Sequence, residues 1–130
     1  MTTTEKSVSA GDTVYDRCGG YEGMLRIAYS ILELHHDNPI LEVRYGQAKK
    51  SDDELARLVA ELLSSVTGGS ETYTGMTMLE AHTGMNCSEQ EFLEVLDDIM
   101  KALEINGVGK PDQDTILGLN YGLKPDIVRR

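Results

Sequence analysis

The chain has 130 residues, with 12 Lys and Arg against 22 Asp and Glu and a formal net charge of −10. That length suits one folded unit with a genuine core, and the acidity opposes phosphate backbones and anionic lipid heads, which sets nucleic acid and membrane aside as partners. No 18-residue apolar run and no apolar signal core is present, and Cys18 and Cys87 lack Cys-x-x-Cys spacing, so the expectation is a cytoplasmic protein with free thiols.

With six Met, one Phe and no Trp, the interior must be built from Leu, Ile, Val and Met. Residues 1–12 are polar and read as a disordered lead, and 13–130 as a single domain. Gly11 to Cys18 can form a short first turn, stopped by Gly19-Gly20. From Glu22 to about His36, the set Met24, Ile27, Ala28, Ile31, Leu32 and Leu34 repeats at helical spacing, and Asp37-Asn38-Pro39 closes it. Ile40 to Lys50 has no clean period and reads as a corner turning at Tyr45-Gly46. Ser51 with Glu54 reads as a capping box for a second long helix. That helix carries Leu55, Leu58, Val59, Leu62, Leu63 and Val66 as one stripe and ends at Gly68-Gly69. Ser88 with Glu91 opens a third, with Phe92, Val95, Leu96, Ile99, Met100 and Leu103 buried, which Asn106-Gly107 ends. Pro111 suits the first turn of a fourth, with Ile116, Leu117, Leu119 and Leu123 on one face. The class is all-α, four main helices in two layers.

Between the second and third long helices lies Tyr73-Thr74-Gly75-Met76-Thr77-Met78-Leu79-Glu80-Ala81-His82-Thr83-Gly84-Met85. It puts His82 on a short turn between two glycine breaks. A neutral imidazole so placed, with apolar helices on both sides, is what one axial position of a haem iron requires. A lone histidine flanked by Met and Ala also suits a purely structural role, and the local sequence leaves both open.

Taken in order, Tyr15-Asp16-Arg17, Gly19-Gly20, Asp37-Asn38-Pro39, Gly68-Gly69, Tyr73-Thr74-Gly75, Glu80-Ala81-His82-Thr83-Gly84 and Ser88-x-x-Glu91-Phe92 resemble the landmarks of group I truncated haemoglobins. The resemblance runs from about Val14 to about Val128. It implies a two-over-two helical sandwich around haem b, with His82 as the proximal ligand of the iron. It also implies cofactor contacts at Leu32, Tyr45, Leu55, Leu58, Val59, Tyr73 and Met78.

The departures lie on the gas side. Leu32 stands where such globins usually bring a Tyr over the iron, and Ile31 precedes it where they have Phe. Leu55 and Val59 take the distal positions where relatives often place Gln, and Leu58 stands where some carry a Lys or His. Tyr45 replaces the Phe that packs on the porphyrin. About two extra residues follow Tyr45, and were they inside the helix, Asp53 and Arg57 would move toward the pocket. The expected pocket is mainly apolar, and Tyr29, His35 and His36 on the first long helix are candidate donors. The two histidines equally suit a solvated helix end, and Tyr29 a core or boundary tyrosine. Arg44, Lys49, Lys50 and Arg57 are candidate propionate partners or ordinary surface charges.

The implied function is binding of a diatomic gas, oxygen by default, with oxygen transport as its simplest use. A reductase of unknown identity would serve the iron, and the chain would be a monomer or weak homo-oligomer. The alternatives are a haem redox enzyme acting on nitric oxide or peroxide, and a globin-shaped sensor or interaction module with altered or no haem binding.

Overall fold

The computed structural model describes residues 13–130; the disordered lead expected at 1–12 falls outside them. Four long helices carry the architecture: α2 (Gly20–Asp37), α4 (Asp52–Thr67), α6 (Glu89–Ile105) and α7 (Lys110–Tyr121). Short ones join them: α1 (Val14–Arg17), α3 (Pro39–Tyr45), α5 (Met78–His82) and α8 (Lys124–Ile127). α2 packs on α4 and α6 packs on α7, with α2 also crossing α6, so that one helix pair lies over the other. This is the two-over-two globin sandwich, and the only strand-like pairing among the described residues is an isolated parallel bridge between Cys87 and Val128. None of the described helices is long and apolar enough to cross a membrane.

The apolar stripes read from the sequence meet in one core. Met24, Ile27, Ala28, Ile31 and Leu32 of α2 face Ala56, Ala60 and Leu63 of α4, and Ile99, Ala102 and Leu103 of α6 close the cluster with Ile116 of α7. Ala28, Ala56 and Ala60 are fully buried at the α2–α4 contact; small residues there let two helix backbones approach closely, while each buried Leu, Ile or Met stabilises by about 1.5–3 kcal/mol. α2 begins at Gly20, two residues ahead of the expected start, because Gly19 adopts a left-handed φ of 97° and serves as N-cap. Gly23 lets α1 end against α2: a Cβ there would sit 1.7 Å from the Cys18 carbonyl oxygen.

Three elements depart from the sequence reading. The corner at Ile40–Lys50 contains α3, because the Asn38 side chain caps it at the Ile40 N–H (3.0 Å) and Pro39 occupies its first turn. Ser51 caps α4 at the Glu54 N–H, but no reciprocal bond from Glu54 completes a box. A full capping box occurs instead at α5, between Thr77 and Glu80, and at α6, between Ser88 and Glu91. On α7 only Ile116 is buried, and Leu119 is 39% exposed; Leu123 lies beyond that helix.

Candidate functional site

A cavity of about 370 Å³ opens between the two layers, a size at the lower end of small-molecule sites. Leu41, Arg44, Tyr45 and Ala48 form one side, Leu55 and Leu62 of α4 another, and Met78, His82 and Met85 a third. Cys87, Glu91, Phe92, Val95, Leu96 and Ile99 make the floor, with Asn120, Leu123 and Ile127 at the far end. Aliphatic and sulfur-bearing side chains dominate. Both cysteines are free thiols; Cys87 is buried and Cys18 half-buried, and burial pushes both thiols up.

His82 is placed by α5, whose capping box fixes its first turn. The imidazole Nδ1 lies 2.8 Å from the Met78 carbonyl oxygen, its neighbour one turn back. A carbonyl can only accept, so Nδ1 carries a proton, and in the neutral ring the lone pair is then on Nε2. Nε2 has no hydrogen-bond partner among the described residues. An imidazole oriented through one nitrogen and open at the other is prepared for a metal. Among the described residues no group of three or more His, Cys, Asp or Glu side chains could hold a bare ion.

Charged groups brace the rim. Arg44 donates Nε and Nη2 to the two oxygens of Glu91, and Nη2 also to the Met85 carbonyl at 3.1 Å. Glu91 meanwhile accepts the Ser88 N–H at 2.9 Å. The Arg44 guanidinium holds the Glu91 carboxyl down to about 2. Arg57 is likewise taken by Glu61, at 2.9 Å. Of the four cations considered as propionate partners, Arg44 and Arg57 are therefore committed to carboxylates, and Lys49 and Lys50 are exposed beside Ala48.

Of the residues expected to contact the cofactor, Tyr45, Leu55, Met78 and His82 line the cavity. Leu32 is 3% exposed within the core cluster, and Leu58, Val59 and Tyr73 are half-buried, none of them among the lining residues. Tyr73 closes its own loop by donating to the Met76 carbonyl at 2.7 Å. None of the three candidate donors of α2 lines the cavity. Tyr29 is 42% exposed and donates to Asp53 at 2.6 Å. His36 bridges Glu42 and Asp52 at 2.9 and 3.0 Å. His35 is no solvated helix end: it is buried, with Nδ1 2.8 Å from Asp98 of α6 and its ring 4.8 Å from that of Tyr45.

Sequence reasoning missed Glu61. It is buried mid-helix and accepts the Thr74 N–H at 3.0 Å and the Thr74 hydroxyl at 2.7 Å, bonds that pull its carboxyl below the usual range and tie α4 to the loop entering α5. A charged residue next to the α4 stripe is ordinarily solvated, so only packing reveals it. Leu62 was read as core and proves to be the second α4 side chain on the cavity.

A bacterial-like globin family model matches residues 13–128. The group 1 truncated hemoglobin of Tetrahymena thermophila is 26% identical over 108 residues, 82% of this chain and 83% of that protein. Among solved structures, the truncated hemoglobin of Tetrahymena pyriformis in its Fe(III) form superposes with a TM-score of 0.84 at 19% identity, covering 92% of this chain and 100% of that one. The cold-adapted truncated hemoglobin of Pseudoalteromonas haloplanktis gives 0.79 at 15% identity, covering 92% and 99%. At those identities the two structures speak for the fold, and the family match over nearly the whole described chain for descent: the chain belongs to the bacterial-like globin family.

Proposed function

We propose that this globin holds haem b in its cavity with His82 as the axial ligand of the iron, and that it binds a diatomic gas on the opposite side of the cofactor. Family membership implies a haem. The non-covalent form suits this chain, since neither cysteine has the Cys-x-x-Cys-His context of covalent attachment. One observation carries the reading: His82 lines an apolar cavity with Nδ1–H committed to the Met78 carbonyl and Nε2 free of any partner among the described residues.

When bound, the haem supplies the iron that takes up oxygen, nitric oxide or carbon monoxide. The chain supplies the rest. The Met78 carbonyl fixes the tautomer and plane of the imidazole. Leu55, Leu62, Leu96 and Ile99 exclude water and leave the gas side mainly apolar. Tyr45 lines the same cavity and its hydroxyl has no hydrogen-bond partner among the described residues, which makes it the candidate donor to a polar ligand. An iron kept ferrous for oxygen calls for an external reductase.

Replacing His82 by Ala tests the reading. The haem-loaded variant should lose normal axial ligation in its ferric, ferrous and carbonyl absorption spectra, and added imidazole should restore much of it. Unchanged ferrous and carbonyl spectra would show that another group ligates the iron.

A further inference from the structure

We infer that residues 124–130 act as a strap that positions His82, by fixing the loop that leaves α5; the inference rests on His82 being the axial ligand. A five-residue helix cannot hold itself in place in water. The helix that α5 packs against is α8, which no feature of the sequence had marked as part of the site.

A connected set of bonds joins the two. The His82 carbonyl accepts the Met85 N–H at 3.0 Å, closing the turn after α5. The next residue, Asn86, donates its N–H to the Arg130 carbonyl at 2.8 Å, and Arg129 returns its N–H to the Cys87 carbonyl at 2.9 Å, around the Cys87–Val128 bridge. The strap is folded back by Arg130 Nε on the Pro125 carbonyl at 2.7 Å and pinned to the start of α6 by the Lys124–Glu89 ion pair. From its inner side Ile127 reaches the cavity that His82 lines.

Backbone conformation singles out the same junction. Asn86 (φ 49°) and Arg129 (φ 61°) are the two non-glycine residues with positive φ among the described residues, and they sit across the bridge from one another. Such conformations persist where the surroundings over-determine them, and they gather where a fold must hold one geometry. A chain segment that only covered the cavity would need neither. With Thr83, Gly84 and Met85 alone between His82 and Asn86, any movement of the strap passes directly into the ligand's helix.

Proline and glycine separate these roles. Asn86→Pro and Arg129→Pro each remove a donated N–H and forbid positive φ, while Asn86→Gly and Arg129→Gly keep both. Amide hydrogen exchange is followed on the full chain before and after loading with haemin, together with the iron–histidine stretching band of the ferrous form. The proline variants should speed exchange at the Ala81 and Thr83 amides by about five- to tenfold, the worth of one hydrogen bond, and shift or broaden the band. The glycine variants should leave both close to the parent.

Proline variants that keep the parent circular dichroism, α5 exchange and band overturn the proposal. If a proline variant does not fold, Lys124→Met releases the strap from Glu89 without touching the backbone; faster α5 exchange then supports the strap and parent-like exchange overturns it. Failure of the ligand reading shows separately, as iron spectra that survive His82→Ala, whereas exchange in the unloaded chain reports on the strap alone.

Discussion

On the reading proposed above, Tyr45 takes the donor role that the sequence offered to residues of α2. Counting from glycine landmarks put Leu32, Tyr29, His35 and His36 around the gas, yet a helix shows one face to a cavity, and packing decides which. α2 turns Leu32 into the core, Tyr29 to Asp53 at the surface and His36 to two carboxylates. The residue that does reach the cavity was read as a packing group on the porphyrin. Its ring rests on His35 and burial pushes its phenol up to about 12, so it stays a protonated donor throughout the working range. Tyr45→Phe should therefore accelerate oxygen release from the haem-loaded protein by roughly ten- to a hundredfold, the worth of about 1.5–3 kcal/mol in a hydrogen bond to a polarised acceptor. Carbon monoxide, less polar when bound, should respond less. Stopped-flow dissociation rates decide; an unchanged oxygen rate would mean that the phenol points away from the gas.

At the scale of elements, legibility followed the caps and stripes. α4 and α6 each pair a Ser cap with an apolar repeat, and both appear where expected. α3 and α8 bury Leu41 and nothing, respectively, so no period announced them. The junction of α2, α3 and α4 depends on a contact between residues distant in sequence. His36 at the end of α2 faces Glu42 of α3 through Nδ1 and Asp52 of α4 through Nε2. Carboxylates only accept, so both ring nitrogens must be protonated, and these bonds raise the imidazole above its ordinary 6.5. Stability from this clamp is fully present below 6.5 and is lost as pH rises through the raised folded value. His35 behaves oppositely. Burial lowers it against the opposing pull of Asp98, so its contribution is present above 6.5 and is lost as pH falls toward the lowered value. His36→Gln should thus abolish the decline in melting temperature on the alkaline side while keeping the acid-side decline, in melts from about pH 5 to about pH 8. A variant that still declines on the alkaline side would show that the clamp does not report on folding.

For the whole molecule, the fold and the place of His82 at the cavity were legible because glycine breaks and caps bracket both. Gly68-Gly69 and Gly84 mark ends that no packing can move far, and His82 lies between them. The opposite wall was not, since the longer corner after Tyr45 leaves the register of α4 undetermined until α4 packs on α2, and Leu62 rather than Leu58 or Val59 then joins Leu55 at the cavity. Arg44 of α3 and Glu91 of α6 pair with each other where both line that cavity. The pair acts alongside a chain-wide effect on acidification. The formal charge of −10 near neutrality is titrated away by about pH 4.6, and below that the cations are left in excess and the folded chain repels itself increasingly. Glu91 adds to that loss: its carboxyl is depressed from 4.5 to about 2, so the stability it contributes is present above 4.5 and is lost as pH falls from there toward 2. Surface repulsion is spread out and screened by salt, whereas this pair is partly buried and bidentate, so the pair should dominate. The melting temperature should fall between pH 4.5 and 2 in the parent, with little dependence on salt. Glu91→Gln should be less stable near neutrality and should flatten the decline over that interval. A decline of equal steepness in the variant would assign the acid response to the remaining carboxylates and remove Arg44–Glu91 as the bond that sets the acid stability of the cavity's rim.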